Sequence, residues 1–79
     1  QRAKVDPGNT GHVGAPIPGA ITTLLVQVGE AVKKGDRILV MEAMKMQTTV
    51  HAPIPGTVLE LFAQVGDTVD SKDLLVVIG

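Results

Sequence analysis

Short runs of Val, Ile, Leu and Thr fill the chain from Val13 onward, and glycine, proline or a polar cluster interrupts them every few residues. Apolar bursts of this length, alternating with polar positions, mark half-buried strands. The pattern predicts strands at about residues 13–15, 20–26, 31–32, 37–42, 46–51, 57–63, 68–69 and 74–78. Breakers and β-branched residues recur too often for a helix of ordinary length. Gly29 and Gly66 each follow an apolar stretch and precede an acidic residue, so both read as turns that need a positive φ. Lys33-Lys34-Gly35-Asp36 and Asp70-Ser71-Lys72-Asp73 are a second polar turn in each half.

The pattern occurs twice. Ala15-Pro16-Ile17-Pro18-Gly19 returns unchanged as Ala52-Pro53-Ile54-Pro55-Gly56, an offset of 52 − 15 = 37 residues. At the same offset Gln27-Val28-Gly29 meets Gln64-Val65-Gly66, and no gap is needed from Ala15 to Met41 against Ala52 to Ile78. Two copies are too few for a solenoid, and each is too short to stand alone. The expected product is one compact all-β sandwich or flattened barrel with approximate two-fold symmetry. Positions apolar in both copies give the expected core: Ile21, Leu24, Val28, Val32, Ile38 and Val40, with Val58, Leu61, Val65, Val69, Leu75 and Val77. Residues 1–11 are polar, with a turn expected at Asp6-Pro7-Gly8-Asn9, and read as a flexible linker ahead of a domain over residues 12–79.

Composition narrows the function. Hydrophobic residues make up 44% of the 79, yet aromatics only 1%, so the core must be aliphatic. A net charge of −1 and the lack of aromatic platforms argue against nucleic-acid binding. No cysteine is present, so neither a disulfide framework nor a thiolate metal site is expected. His12 and His51 lack metal-ligand spacing, and no metal is expected. The carboxylates of Glu30, Asp36, Asp67 and Asp73 fall on predicted turns, where local backbone bonding is their expected role. No nucleophile triad or phosphate loop is present, so the domain is expected to be non-catalytic by itself. No apolar run reaches membrane-spanning length and no signal peptide opens the chain, so no membrane partner is expected.

The chemistry concentrates between the copies. Glu42-Ala43-Met44-Lys45-Met46 has no partner in the repeat and joins two predicted strands, so it should form a hairpin tip. A two-residue turn there places Met44-Lys45 where Asn-Gly is preferred. A local rule broken at one place, in a chain that otherwise obeys it, points to function or strain. A lone turn lysine is ordinarily a solvated charge, and a lone methionine an ordinary apolar residue. Two flexible thioethers flanking one exposed amine suit a surface that another protein grips.

These residues resemble the attachment motif of biotinyl domains, and with the duplication and the Pro-x-Pro-Gly strand entries the resemblance extends from Val13 to Ile78. It implies a flattened barrel of two four-stranded antiparallel sheets, a barrel-sandwich hybrid, with the Lys45 hairpin at one end and both termini at the other. It implies biotin as covalent cofactor on Lys45, with Ala43, Met44 and Met46, and either Glu42 or plain solvation at Glu42, serving recognition by a biotin protein ligase. The implied partners are that ligase and the biotin carboxylase and carboxyltransferase sites between which a carboxyl group is carried. The implied compartment is the cytoplasm, or the mitochondrial matrix in a eukaryote. Lipoyl domains share fold and repeat, but their lysine usually follows Asp and precedes Ala, whereas here Met44 and Met46 flank it. His12-Val13-Gly14-Ala15-Pro16 is similar to the C-terminal carrier domain of pyruvate carboxylases, which normally have Met where Ile17 stands. Carriers of acyl-CoA carboxylases or of decarboxylases are the alternative within the family, and a lipoyl-type carrier lies further off.

Overall fold

The computed structural model of the chain describes residues 3–79. Its elements are all strands: β1 (His12–Gly14), β2 (Gly19–Leu24), β3 (Ala31–Val32), β4 (Arg37–Ala43), β5 (Met46–His51), β6 (Gly56–Leu61), β7 (Thr68–Val69) and β8 (Leu74–Ile78). They form two four-stranded sheets, ordered β1-β8-β6-β3 and β5-β4-β2-β7, and every pairing is antiparallel. The expected fold class is the one observed.

The repeat acts on the sheets, not on separate halves. Moving each strand of the first copy to its equivalent turns β1, β2, β3 and β4 into β5, β6, β7 and β8. The order β1-β8-β6-β3 then becomes β5-β4-β2-β7. Each sheet takes two strands from each copy, so neither copy completes a sheet alone.

The irregularities repeat as well. The β2–β4 register shifts between Ile21 and Thr23, and the β6–β8 register shifts between Val58 and Glu60, the equivalent step. The β4–β5 register shifts between Arg37 and Leu39, and the β1–β8 register shifts between Val13 and Gly14, at the equivalent pairing. Each shift adds twist and bends its strand, which curves the two sheets around a common interior.

That curvature corrects part of the expected core. Ile21, Val32, Ile38, Val58, Val69 and Leu75 are buried, and Leu24 and Leu61 pack against the core half-buried. Val40 and Val77 are also only half-buried, because the shift beside them puts both Ile38 and Leu39, and both Leu75 and Val76, into the interior. Simple alternation would have skipped Leu39 and Val76. Val28 and Val65 are not core residues, being 60% and 62% exposed. Each lies inside a tight turn, where Glu30 N–H donates to the Gln27 carbonyl and Asp67 N–H to the Gln64 carbonyl. The central residues of such a turn stand clear of the sheet. The buried position is two residues earlier, at Val26 and Ala63.

The turns are closed as the residue types suggest. Gly29 and Gly66 have φ of 93° and 96°. The carboxylates of Glu30, Asp36, Asp67 and Asp73 accept the N–H of Gln27, Lys33, Gln64 and Asp70, three residues back in each case. Gly35 and its equivalent Lys72 both have positive φ, at 89° and 67°, so the second copy holds with lysine a conformation that the first gives to glycine.

Of the lead-in expected to be a linker, residues 1–2 lie outside the described residues, and the rest lies along the domain. Leu74 N–H donates to the Ala3 carbonyl and Val5 N–H to the Lys72 carbonyl. The Lys4 ammonium pairs with the Asp73 carboxylate. Asp6-Pro7-Gly8-Asn9 forms a turn, with Asn9 N–H donating to the Asp6 carbonyl.

Candidate functional site

The longest ladder in the molecule carries the candidate site. β4 and β5 pair without interruption from Leu39↔Val50 to Ala43↔Met46. The base is anchored inside the protein by Leu39, Met41 and Val50, all buried. Beside it, β2 runs so near that a Cβ on Gly19 would lie 2.6 Å from the Glu42 carbonyl oxygen and 3.0 Å from the Ala43 Cβ. Glycine at 19 and alanine at 43 permit this approach, which braces the hairpin just below its tip.

Ala43 and Met46 are the last pair, so the loop is the two residues Met44-Lys45. Both have positive φ, 52° and 66°, the pattern of a type I′ turn. The expectation for this pair is met: two side-chain-bearing residues occupy positions that favour glycine or asparagine. The turn is held tight by the ladder beneath it, and the strain falls on the residues at its apex.

Lys45 is exposed, and among the described residues no ion pair or hydrogen bond engages its side chain. Met44 is 94% exposed and Met46 70% exposed. Glu42 is exposed and pairs across the ladder with Gln47, and Ala43 is half-buried. All five expected site residues therefore occupy one tip. The sequence reading named Gly19 only as part of the repeat and gave it no part in the site. The Pro-Gly step at the strand entry was its only signal, and nothing local revealed that Gly19 would face the hairpin.

The two histidines are not part of the tip. His12 Nδ1 accepts the Asp6 N–H at 3.0 Å, and His51 ends β5 in an exposed position. Among the described residues no group of three His, Cys, Asp or Glu side chains is placed to hold a metal ion. No helix among them is long and apolar enough to cross a membrane. An exposed primary amine at the apex of a braced hairpin fits a covalently attached group: the nitrogen is accessible, and the bulk of the addition would lie outside the packed core.

A duplicated β scaffold presenting a single lysine between its halves defines the class. The chain belongs to the family described as "Biotin-requiring enzyme", whose model matches residues 11–78. Among individual proteins it is similar to pyruvate carboxylase of Schizosaccharomyces pombe, 51% identical over 49 residues, which is 62% of this chain and 4% of that protein. The chain thus spans only a small part of such relatives. In structure it is similar to the complete multifunctional pyruvate carboxylase from Rhizobium etli, with a TM-score of 0.82 and 44% identity over 98% of this chain and 7% of that one. It is also similar to the lipoyl domain of the 2-oxoglutarate dehydrogenase complex from Azotobacter vinelandii, with a TM-score of 0.73 and 31% identity over 86% of this chain and 94% of that one.

Proposed function

We propose that Lys45 is the biotin attachment point and that the domain is the carboxyl carrier of a multidomain biotin-dependent carboxylase, of the pyruvate carboxylase type. One observation carries the reading. The unduplicated segment between the two copies bends in a strained turn whose lysine is exposed between two exposed methionines. A scaffold needing only a turn there would do better with Asn-Gly.

Attachment joins the biotin carboxyl to the Lys45 amine as an amide, with loss of water overall and of the lysine's charge. Among the described residues no hydrogen bond or ion pair engages the amine, so its activation is assigned to the biotin protein ligase. Met44 and Met46, with Ala43 beneath them, offer that ligase an apolar grip, while Glu42 supplies a charge on the adjoining strand. Biotin, once bound, supplies a group that holds a carboxyl between a biotin carboxylase centre and a carboxyltransferase centre. The chain's own part is mechanical: the β4–β5 ladder fixes the direction of the arm, and the sandwich gives it a rigid base. Tethering such a carrier to its parent enzyme replaces free diffusion by an effective concentration of order ~1 mM.

The lipoyl domain's similar fold leaves lipoate as the rival cofactor, and the flanking methionines favour biotin. Incubation with biotin protein ligase, ATP and biotin, followed by intact mass, tests the choice. One biotinyl group should be gained, and Lys45→Arg should gain none while keeping its β-sheet circular dichroism. An unmodified chain beside a labelled control carrier would end the proposal, and lipoylation by a lipoate ligase would replace it.

A further inference from the structure

We propose that Met44 and Met46 form a reversible oxidation site that controls the loading of Lys45, an inference that rests on the reading of Lys45 as the biotinylated residue. The chain contains three methionines, and the fold divides them sharply. Met41 is 0% exposed on the inner face of β4, whereas Met44 and Met46 are the two most exposed large apolar residues of the domain. They bracket the lysine in sequence and share its turn.

The reagent is hydrogen peroxide. A sulfur lone pair attacks the terminal peroxide oxygen, an S–O bond forms and the O–O bond breaks. The sulfur is oxidised by two electrons, the transferred oxygen loses its proton, and the departing hydroxide takes up that proton and leaves as water. Each thioether becomes a sulfoxide, polar, chiral and strongly hydrogen-bond accepting. A partner surface shaped for two flexible apolar side chains would then have to bury two S=O dipoles without donors, so recognition falls while the amine itself is untouched. The scaffold is spared, because the only core methionine is sealed between the sheets. A methionine sulfoxide reductase reverses the change.

The test uses the 79-residue chain, hydrogen peroxide, intact mass with fragmentation, and a purified biotin protein ligase. Two oxygens should be gained, at Met44 and Met46, with Met41 reacting only in denaturant. The doubly oxidised chain should accept biotin at least about tenfold more slowly than the untreated chain, and reductase treatment should restore the rate. The double variant M44L/M46L should show a labelling rate that peroxide leaves unchanged. Oxidation of Met41 alongside the others, or equal labelling of the oxidised and untreated chains, would overturn the proposal alone. Failure of the untreated chain to label would instead remove the assignment of Lys45, and this inference with it.

Discussion

Replacing the tip pair by the residues its backbone prefers should stabilise the domain while destroying its proposed function. Met44 and Lys45 both sit at positive φ, 52° and 66°. A left-handed conformation costs an L-residue other than Gly, Asn or Asp about 1–2 kcal/mol. Glycine removes that cost but brings back about 0.5–1 kcal/mol through the greater freedom of its unfolded chain. Asparagine tolerates the conformation without that penalty. Both side chains to be removed are exposed, so little packing is lost. The double variant Met44→Asn, Lys45→Gly should therefore gain about 1–3.5 kcal/mol. With a urea dependence of about 1 kcal/mol per molar for so small a domain, the midpoint should rise by about 1–3.5 M. The chain has no Trp or Tyr, so far-ultraviolet circular dichroism is the signal to follow. Lys45→Arg is the control: it keeps the backbone strain and should leave the midpoint within about 0.5 kcal/mol of the parent. If the Asn-Gly variant is no more stable than the parent, the tip is not strained, and the reading of a turn kept for chemistry at the expense of stability is wrong.

Other substitutions test the scaffold. Leu39→Ala, at a fully buried position, should cost about 2–5 kcal/mol, whereas Val28→Ser should change stability by less than about 0.5 kcal/mol; thermal melts compare the two directly. Gly19→Ala places a methyl 2.6 Å from the Glu42 carbonyl and should cost about 1–3 kcal/mol, while shifting the amide resonances of residues 42–46 more than those of β6, its repeat equivalent. Asp73, buried and bonded to Lys4 and to the Asp70 N–H, should cost about 1–3 kcal/mol when changed to Ala. Its exposed equivalent Asp36, which accepts the Lys33 N–H, should cost at most about 1 kcal/mol, and equal losses at the two sites would show that the lead-in contacts contribute nothing.

The hydrophobic pattern and the duplication were enough to anticipate strands, turns and the two-fold relation. These follow from local rules: an alternating period, a glycine where φ is positive, a carboxylate three residues beyond the N–H it accepts. The candidate site was legible for the same reason. A hairpin tip is a local feature, and Met44-Lys45 stood out against the turn chemistry that surrounds it.

Tertiary structure decided the rest. Each sheet draws strands from both copies, and no feature within a copy specifies its partners across the sandwich, because every strand shows much the same alternation. Leu39 and Val76 enter the core only because register shifts turn two consecutive residues inward. Val28 and Val65 were expected inside as apolar residues repeated in both copies, yet the turns that contain them lift them away from the sheets. Gly19 beneath Glu42 and Ala43 is a contact between segments more than twenty residues apart, and it exists only once β2 lies beside β4. Sequence fixes the period and sign of each position locally, whereas burial depends on which surfaces meet, and that is settled only when the two sheets close on one another.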